Sequence, residues 1–295
     1  MEKYVIFHIE GGLGKHIAAT AVAKTIKNNY PDRKLIVVCS YPEIFVNLPH
    51  VWRVYINGTT AYFYDDFINN KDSIIFKHEP YYTTEHIHGK LPLIENWCKL
   101  YNLNWSGEKP EIIFNQRQET VYSNKWLRDR PIFVLQTNGG PLQHQPFNHS
   151  WTRDMPMALS SAIVEYFKND YHIIQICRNE QNQLNGVEVQ NQPMGNMELL
   201  YLLLMSQKRL LIDSCLQHGA AALNVPSTVL WIATNPNIFG YEINDNIKAN
   251  IPNTIPLHDS YLFDYNFNGS LFECPIFDGD VLFNFEEILY SLSKN

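Results

Sequence analysis

"LIDSCLQHGAAALNVPSTVLWIATNPNIFGY", residues 211–241, joins two apolar runs through a short helical segment. Residues 209–213 and 227–232 are of strand length and rich in Leu, Ile, Val and Trp. They lack the polar alternation of a half-solvated sheet, which is the mark of strands buried on both faces. Residues 215–223 between them carry Leu, Ala and one glycine and read as a helix. A helix between two buried strands is the crossover that a parallel pair requires.

The same alternation continues outward. Residues 131–136 read as a strand that runs into Thr137, Asn138, Gly139 and Gly140. A helix over 155–167, a strand over 172–177 and a helix over 196–205 follow. Nearer the start, residues 4–9 and 35–39 are buried strands, and 51–56 is a third. Helical spacing runs from Ile17 to Asn28, where Pro31 enforces a stop. Residues 91–103 look helical, the aromatic stretch 62–82 takes no assignment, and 283–292 reads as a closing helix. A polar, charged segment, 117–130, separates two open α/β units, each predicted to hold a parallel sheet covered by helices.

The chain of 295 residues is long enough for two such units. Its 45% hydrophobic and 18% charged residues are those of a folded chain. No apolar run approaches bilayer length, and the N-terminus lacks the pattern of a signal peptide. Cys39, Cys98, Cys177, Cys215 and Cys274 are scattered, without a Cys-x-x-Cys pair, which predicts reduced thiols and a cytoplasmic location. A net charge of −7 disfavours a non-specific grip on nucleic acid.

The first strand leads into Gly11, Gly12 and Gly14, followed by Lys15 and His16. A nucleotide-phosphate loop would need glycine where Ile9 stands and a hydroxyl where His16 stands. A dinucleotide fingerprint would need a third glycine at Ile17 and an acid after the second strand, which ends in Cys39 and Ser40. Both readings fail. The glycines then either make a tight turn alone or expose backbone at the carboxyl end of a strand, where open α/β sheets bind ligands.

Residues 211–241 closely resemble the donor-binding segment of the ADP-heptose:lipopolysaccharide heptosyltransferase-like family, glycosyltransferase family 9-like. That segment has Asp-[Ser/Thr]-x-x-x-His opening a helix, then Ala-Ala-Ala-Leu-x-x-Pro and a strand leading to Thr-x-Pro. The glycine loop at 11–14 resembles the family's N-terminal loop, and Asn138, Gly139 and Gly140 with residues 151–156 resemble its interdomain donor loop. The resemblance implies the GT-B arrangement, two Rossmann-like domains with parallel sheets facing across a cleft. Here they would be an acceptor-side domain over residues 1–125 and a donor-binding domain over 126–295, with the last helix available to pack back on the first. It implies inverting, metal-independent transfer of a sugar from a nucleoside-diphosphate sugar, with no further cofactor. The acceptor is left open among saccharide, protein and modified base, and no stable membrane insertion is expected. A degenerate nucleotide- or glycan-binding protein and a nucleotide-sugar epimerase are the competing readings.

A diphosphate needs donors and positive charge. The amides of Ser214, Cys215 and Leu216 open a helix after a buried strand and suit it. Asp213 would cap that helix, hold a loop or bind a ribose. His218, one turn further on, would meet the leaving phosphate as an imidazolium or else pack. Arg153 and Arg178 would clamp phosphate or lie solvated, and Asn138, Gly139 and Gly140 offer an exposed turn. The alanines at 220–222 are expected to pack the helix on its sheet, and residues 141–149 to form a cleft loop.

The chain departs from the family where an acid, regarded as the catalytic base, should follow Gly-x-Gly: it has Lys15. A protonated lysine accepts no proton. His16 or Glu10 would serve instead, or Lys15 holds an anionic group while Asp65, Asp66 or Glu79 is the base. Asp278 and Asp280 match an Asp-x-Asp metal motif but read as a turn. His78, Glu79, His86 and His88 would bind a metal only if the fold brought them together.

Overall fold

A computed structural model describes residues 1–139, 153–232, 234–250 and 282–294, in which the strands form two all-parallel sheets. The first half contains β1 (Lys3–Ile9), α1 (Leu13–Asn29), β2 (Lys34–Cys39), β3 (Arg53–Ile56), α2 (Phe63–Phe67), β4 (Asp72–Phe76), α3 (Thr84–Ile87) and α4 (Leu93–Leu100). Its strand order is β3-β2-β1-β4, with Tyr4 opposite Lys34 on one side and Ser73 on the other. The stretch left unassigned from sequence thus supplies α2 and the edge strand β4.

The segment expected as a polar linker is largely a helix, α5 (Gln116–Lys125). Asn115 and Gln118 close a reciprocal capping box at its start. It buries no residue of its own, and Phe114 and Tyr122 rest on Tyr201 of the second half.

The second half contains β5 (Ile132–Gln136), α6 (Met157–Phe167), β6 (His172–Ile176), β7 (Glu188–Gln190), α7 (Asn196–Met205), β8 (Lys208–Ile212), α8 (Cys215–Ala222), β9 (Thr228–Trp231), α9 (Pro236–Phe239), β10 (Asp245–Lys248) and α10 (Phe285–Lys294). Its order is β10-β9-β8-β5-β6-β7. The closing helix α10 stays with this sheet instead of packing back on the first. Ile288 and Leu292 are buried with Leu210 and Leu230, and Ser291 bonds Thr228 and Asp245.

Both sheets reverse strand order once, the first between β1 and β4, the second between β5 and β8. Chains leaving the carboxyl ends of such strands diverge and open a crevice, the usual ligand site of open parallel sheets. The two crevices are held in register by a shared core. α1 lies against α8, and the alanines of α1 share one buried cluster with Leu200, Leu216 and Ala220. The small residues of α8 therefore serve helix–helix contact more than the helix–sheet packing expected: a Cβ on Gly219 would lie 2.5 Å from Leu200 of α7. No helix among the described residues is long and apolar enough to cross a membrane.

Candidate active site

A cavity of about 460 Å³ opens at the carboxyl ends of β5, β6, β7 and β8, lined among others by Gln136, Gly139, Arg178, Gln190, Ser214 and Cys215. Its floor is the second switch point. Ser214 is the N-cap of α8, extended at φ −158° and ψ −173°, and its side chain makes no capping hydrogen bond. The first amides of α8 are therefore uncapped by side chain and directed at the cavity.

The β5 side is shaped by a buried polar network. Asp154 takes a hydrogen bond from the Asn138 side chain at 3.0 Å and from the Gly139 amide at 2.8 Å. Thr137 donates to the Asn138 oxygen, so Asn138 is committed to the loop. Gln181 donates to the Gly139 carbonyl and accepts from the Arg178 amide, which ties the β6 loop across the cavity mouth. Asp154, Gln175 and Gln181 are positioning residues not among those expected from sequence, although Asp154 falls within residues 151–156.

Two guanidinium groups charge this site. A Cβ on Gly139 would lie 2.5 Å from Arg153 Cδ, so the arm of Arg153 crosses the loop where only glycine gives it room. The charges of Arg153 and Arg178 both act on the Cys215 thiol, although burial dominates there and pushes the thiol up. Arg153 also acts on Asp213, whose carboxyl burial pushes above the usual carboxylate range. Asp213 does not cap α8. It accepts from Thr234 Oγ1 at 2.6 Å and so holds the loop after β9, one of the roles expected of it. Leu216 is a core side chain, and only its amide belongs to the helix start. Gly140, residues 141–149, and Asp278 with Asp280 lie outside the described residues.

His218 is not the imidazolium expected. Gln217 Nε2 also donates to the Phe239 carbonyl, so it is a donor, and His218 Nε2, 3.2 Å away, accepts. The proton is then on Nδ1, 2.8 Å from the Tyr241 hydroxyl. Burial lowers the ring to about 4. His218 is a neutral packing residue at the point where the domains touch: a Cβ on Gly14 would lie 2.8 Å from its Cδ2 and 3.2 Å from Cys215 Cα. The third glycine of the N-terminal loop is thus required by close approach to α8. Gly12 is the N-cap of α1 with open space around it, and Gly11, at φ +99°, makes the turn.

His16 is excluded as a base by its own bonds. Ser40 donates its amide to Nε2 at 3.2 Å, and Nδ1 donates to the Gly12 carbonyl at 2.9 Å. The ring is buried against Tyr41 and Phe45, and desolvation lowers its affinity for a proton. Glu10 is 58% exposed and turns toward β3, taking a bond from Asn57 and lying 3.7 Å from His8. Lys15 turns the other way, toward β4, and its Nζ lies 2.7 Å from Glu79 Oε2. Asp65 and Asp66 are exposed on α2. His86 is buried against Tyr81 and Phe239, and no cluster of three or more metal-ligating side chains occurs among the described residues.

A second cavity, about 290 Å³ and mainly apolar, lies nearly two turns further along α8, between Pro92, Trp105, Ala221, Phe239 and Tyr241.

No protein-family model and no curated protein matches the sequence. Solved structures do. A glycosyl transferase family 9 protein from Veillonella parvula superposes with a TM-score of 0.66 at 13% identity, over 99% of this chain and 96% of that one. The iron-containing dodecameric glycosyltransferase TibC of enterotoxigenic E. coli gives 0.65 at 13%, over 100% and 77%. E. coli heptosyltransferase WaaC, solved with ADP, gives 0.56 at 11%, over 83% and 93%. The chain has the GT-B fold of the heptosyltransferases and family 9 glycosyl transferases.

Proposed function

We propose that the protein is a glycosyltransferase that moves a sugar from a nucleoside-diphosphate sugar to an acceptor hydroxyl. The observation that carries this is the cavity at the second switch point, where Arg178 and the uncapped start of α8 share one wall system with the Gly139 turn. Arg153, crossing that turn, adds a second cation. Backbone amides, a helix dipole and guanidinium groups together suit a diphosphate and its growing charge as the sugar leaves.

The acceptor is held from the first domain, across the cleft from the leaving diphosphate. Attack from that side is a single displacement with inversion at the anomeric carbon. Arg153, Arg178 and the helix amides supply the countercharge, so the reading is metal-independent. The four described cysteines are free, which suits a reducing, cytoplasmic compartment.

The test is a thermal-shift panel of ADP, UDP, GDP, TDP and CMP with their common sugar conjugates. ADP comes first because the similar E. coli heptosyltransferase was solved with it. A ligand at a hundredfold excess over its Kd stabilises the fold by about 2.7 kcal/mol. One base is expected to stand out, and silence from all of them at millimolar concentration would refute the reading.

A further inference from the structure

We propose that Glu79 is the general base of the transfer and that Lys15 positions it, an inference that rests on the glycosyltransferase reading. Glu79 follows β4 and Lys15 follows β1, so their ion pair spans the switch point of the first sheet. The two side chains are only 24% and 18% exposed. Lys15 Nζ also sits 4.9 Å from the centre of the Tyr81 ring, and glycine at position 11 leaves it room, since a Cβ there would lie 2.7 Å from Nζ.

The pair lies beside the place where the two halves meet. Lys15 adjoins Gly14, whose backbone touches Cys215 and His218 at the start of α8. Tyr81, two residues beyond Glu79, packs edge-on against His86, and His86 packs on Phe239 of the second half. Glu79 thus follows the carboxyl end of β4, next to the segment of the first half that meets the second. Its Oε2 is taken by Lys15, whereas Oε1 has no hydrogen-bond partner among the described residues.

Competing bases are engaged elsewhere. Both nitrogens of His16 and both of His218 are bonded. Asp154 holds the Gly139 loop and Asp213 holds Thr234, both in the donor domain. Glu10 points away toward Asn57. Lys15, which stands where the sequence led one to look for an acid, instead fixes the orientation of an acid delivered from β4.

The acceptor oxygen forms a bond to the anomeric carbon as its proton passes to Glu79 Oε1. The bond from that carbon to the diphosphate oxygen breaks, and its electron pair leaves with the nucleoside diphosphate. Water can stand in for the acceptor, so release is measurable without an identified saccharide.

The experiment measures nucleoside diphosphate release from ADP-glucose, UDP-glucose, GDP-mannose and TDP-glucose, together with calorimetric Kd values for the parent nucleotides. Glu79→Gln is expected to lower release at least about a hundredfold, the usual contribution of a general base, with Kd within threefold of wild type. Glu79→Asp should restore part of the rate, and the acid limb of the pH–rate profile should vanish in Glu79→Gln. Lys15→Met should lower release and move that limb, and Lys15→Arg should recover most of it. Release by Glu79→Gln within threefold of wild type would overturn the assignment while leaving the transferase reading intact. Nucleotide binding by the wild type with no release from any donor would also overturn it. No nucleotide binding at all would overturn the transferase reading, and this inference with it.

Discussion

A methyl group on Gly14 would test whether the two crevices are held in register. The added Cβ of Gly14→Ala would stand 2.8 Å from His218 Cδ2, 0.6 Å short of the 3.4 Å at which ordinary contact begins, and 3.2 Å from Cys215 Cα. Neither neighbour yields easily. The His218 ring is fixed by Tyr241 and Gln217, and Cys215 Cα is helix backbone. Relief requires α1 and α8 to separate. Overpacking of this kind costs about 1–3 kcal/mol, offset by up to about 1 kcal/mol from the better helix propensity of alanine. The expected result in urea unfolding is a net loss of about 1 kcal/mol. Because the displaced helix start also lines the cavity proposed for the donor, calorimetry should show nucleotide affinity falling about three- to tenfold. Gly12→Ser is the control: position 12 is the N-cap of α1 at φ −80° with nothing within 4 Å, so serine should be neutral or stabilise by a few tenths of a kcal/mol. Gly14→Ala with wild-type stability and wild-type affinity would refute the close approach and the register argument with it.

Arg178→Ala removes a guanidinium from the cavity wall. A charge-assisted hydrogen bond to phosphate contributes about 1.5–3 kcal/mol, so Kd for the selected nucleotide should rise about 10- to 150-fold, read by calorimetry. Asp154→Ala leaves the Gly139 amide and the Asn138 side chain without their buried acceptor. It should cost about 1–3 kcal/mol in urea unfolding and weaken nucleotide binding as the loop relaxes. Burial holds His218 and His86 at about 4, below the ordinary histidine value of 6.5. Between those limits the unfolded chain binds protons that the folded chain refuses, so stability should fall as pH drops from about 6.5 to 4. The raised carboxyl of Asp213 works in the opposite sense, and His218→Gln should flatten the fall in a pH series of urea melts. Asn115→Ala should cost about 1 kcal/mol by uncapping α5.

Most of the architecture was legible because parallel strands buried on both faces leave continuous apolar runs. β1, β2, β5, β6, β8 and β9 were readable for that reason, and the helices between them followed from spacing. β4 was not, because its apolar run is only Ile74, Ile75 and Phe76, set in an aromatic and charged stretch that shows neither a strand nor a helix period. α5 was hidden by polarity: it buries no residue and depends on a capping box, on the Phe114 and Tyr122 contacts to Tyr201 and on the Lys125–Glu198 ion pair. Four of the residues expected to bind a donor, Arg178, Gly139, Ser214 and Cys215, line one cavity. Individual roles were harder to read. The type of His16 or His218 says nothing about which nitrogens the fold will occupy, and both turned out committed. The partner of Lys15 lies 64 positions away, a contact that exists only because β4 pairs with β1.

The most direct measurement of where the donor binds is amide hydrogen exchange on the whole chain, with and without the nucleoside diphosphate that raises its Tm. Protection should concentrate at residue 139, at 178–181 and at 214–216, and leave the apolar cavity at 105–110 and 238–243 unchanged. Protection confined to that second cavity, or none at the start of α8, would contradict the account.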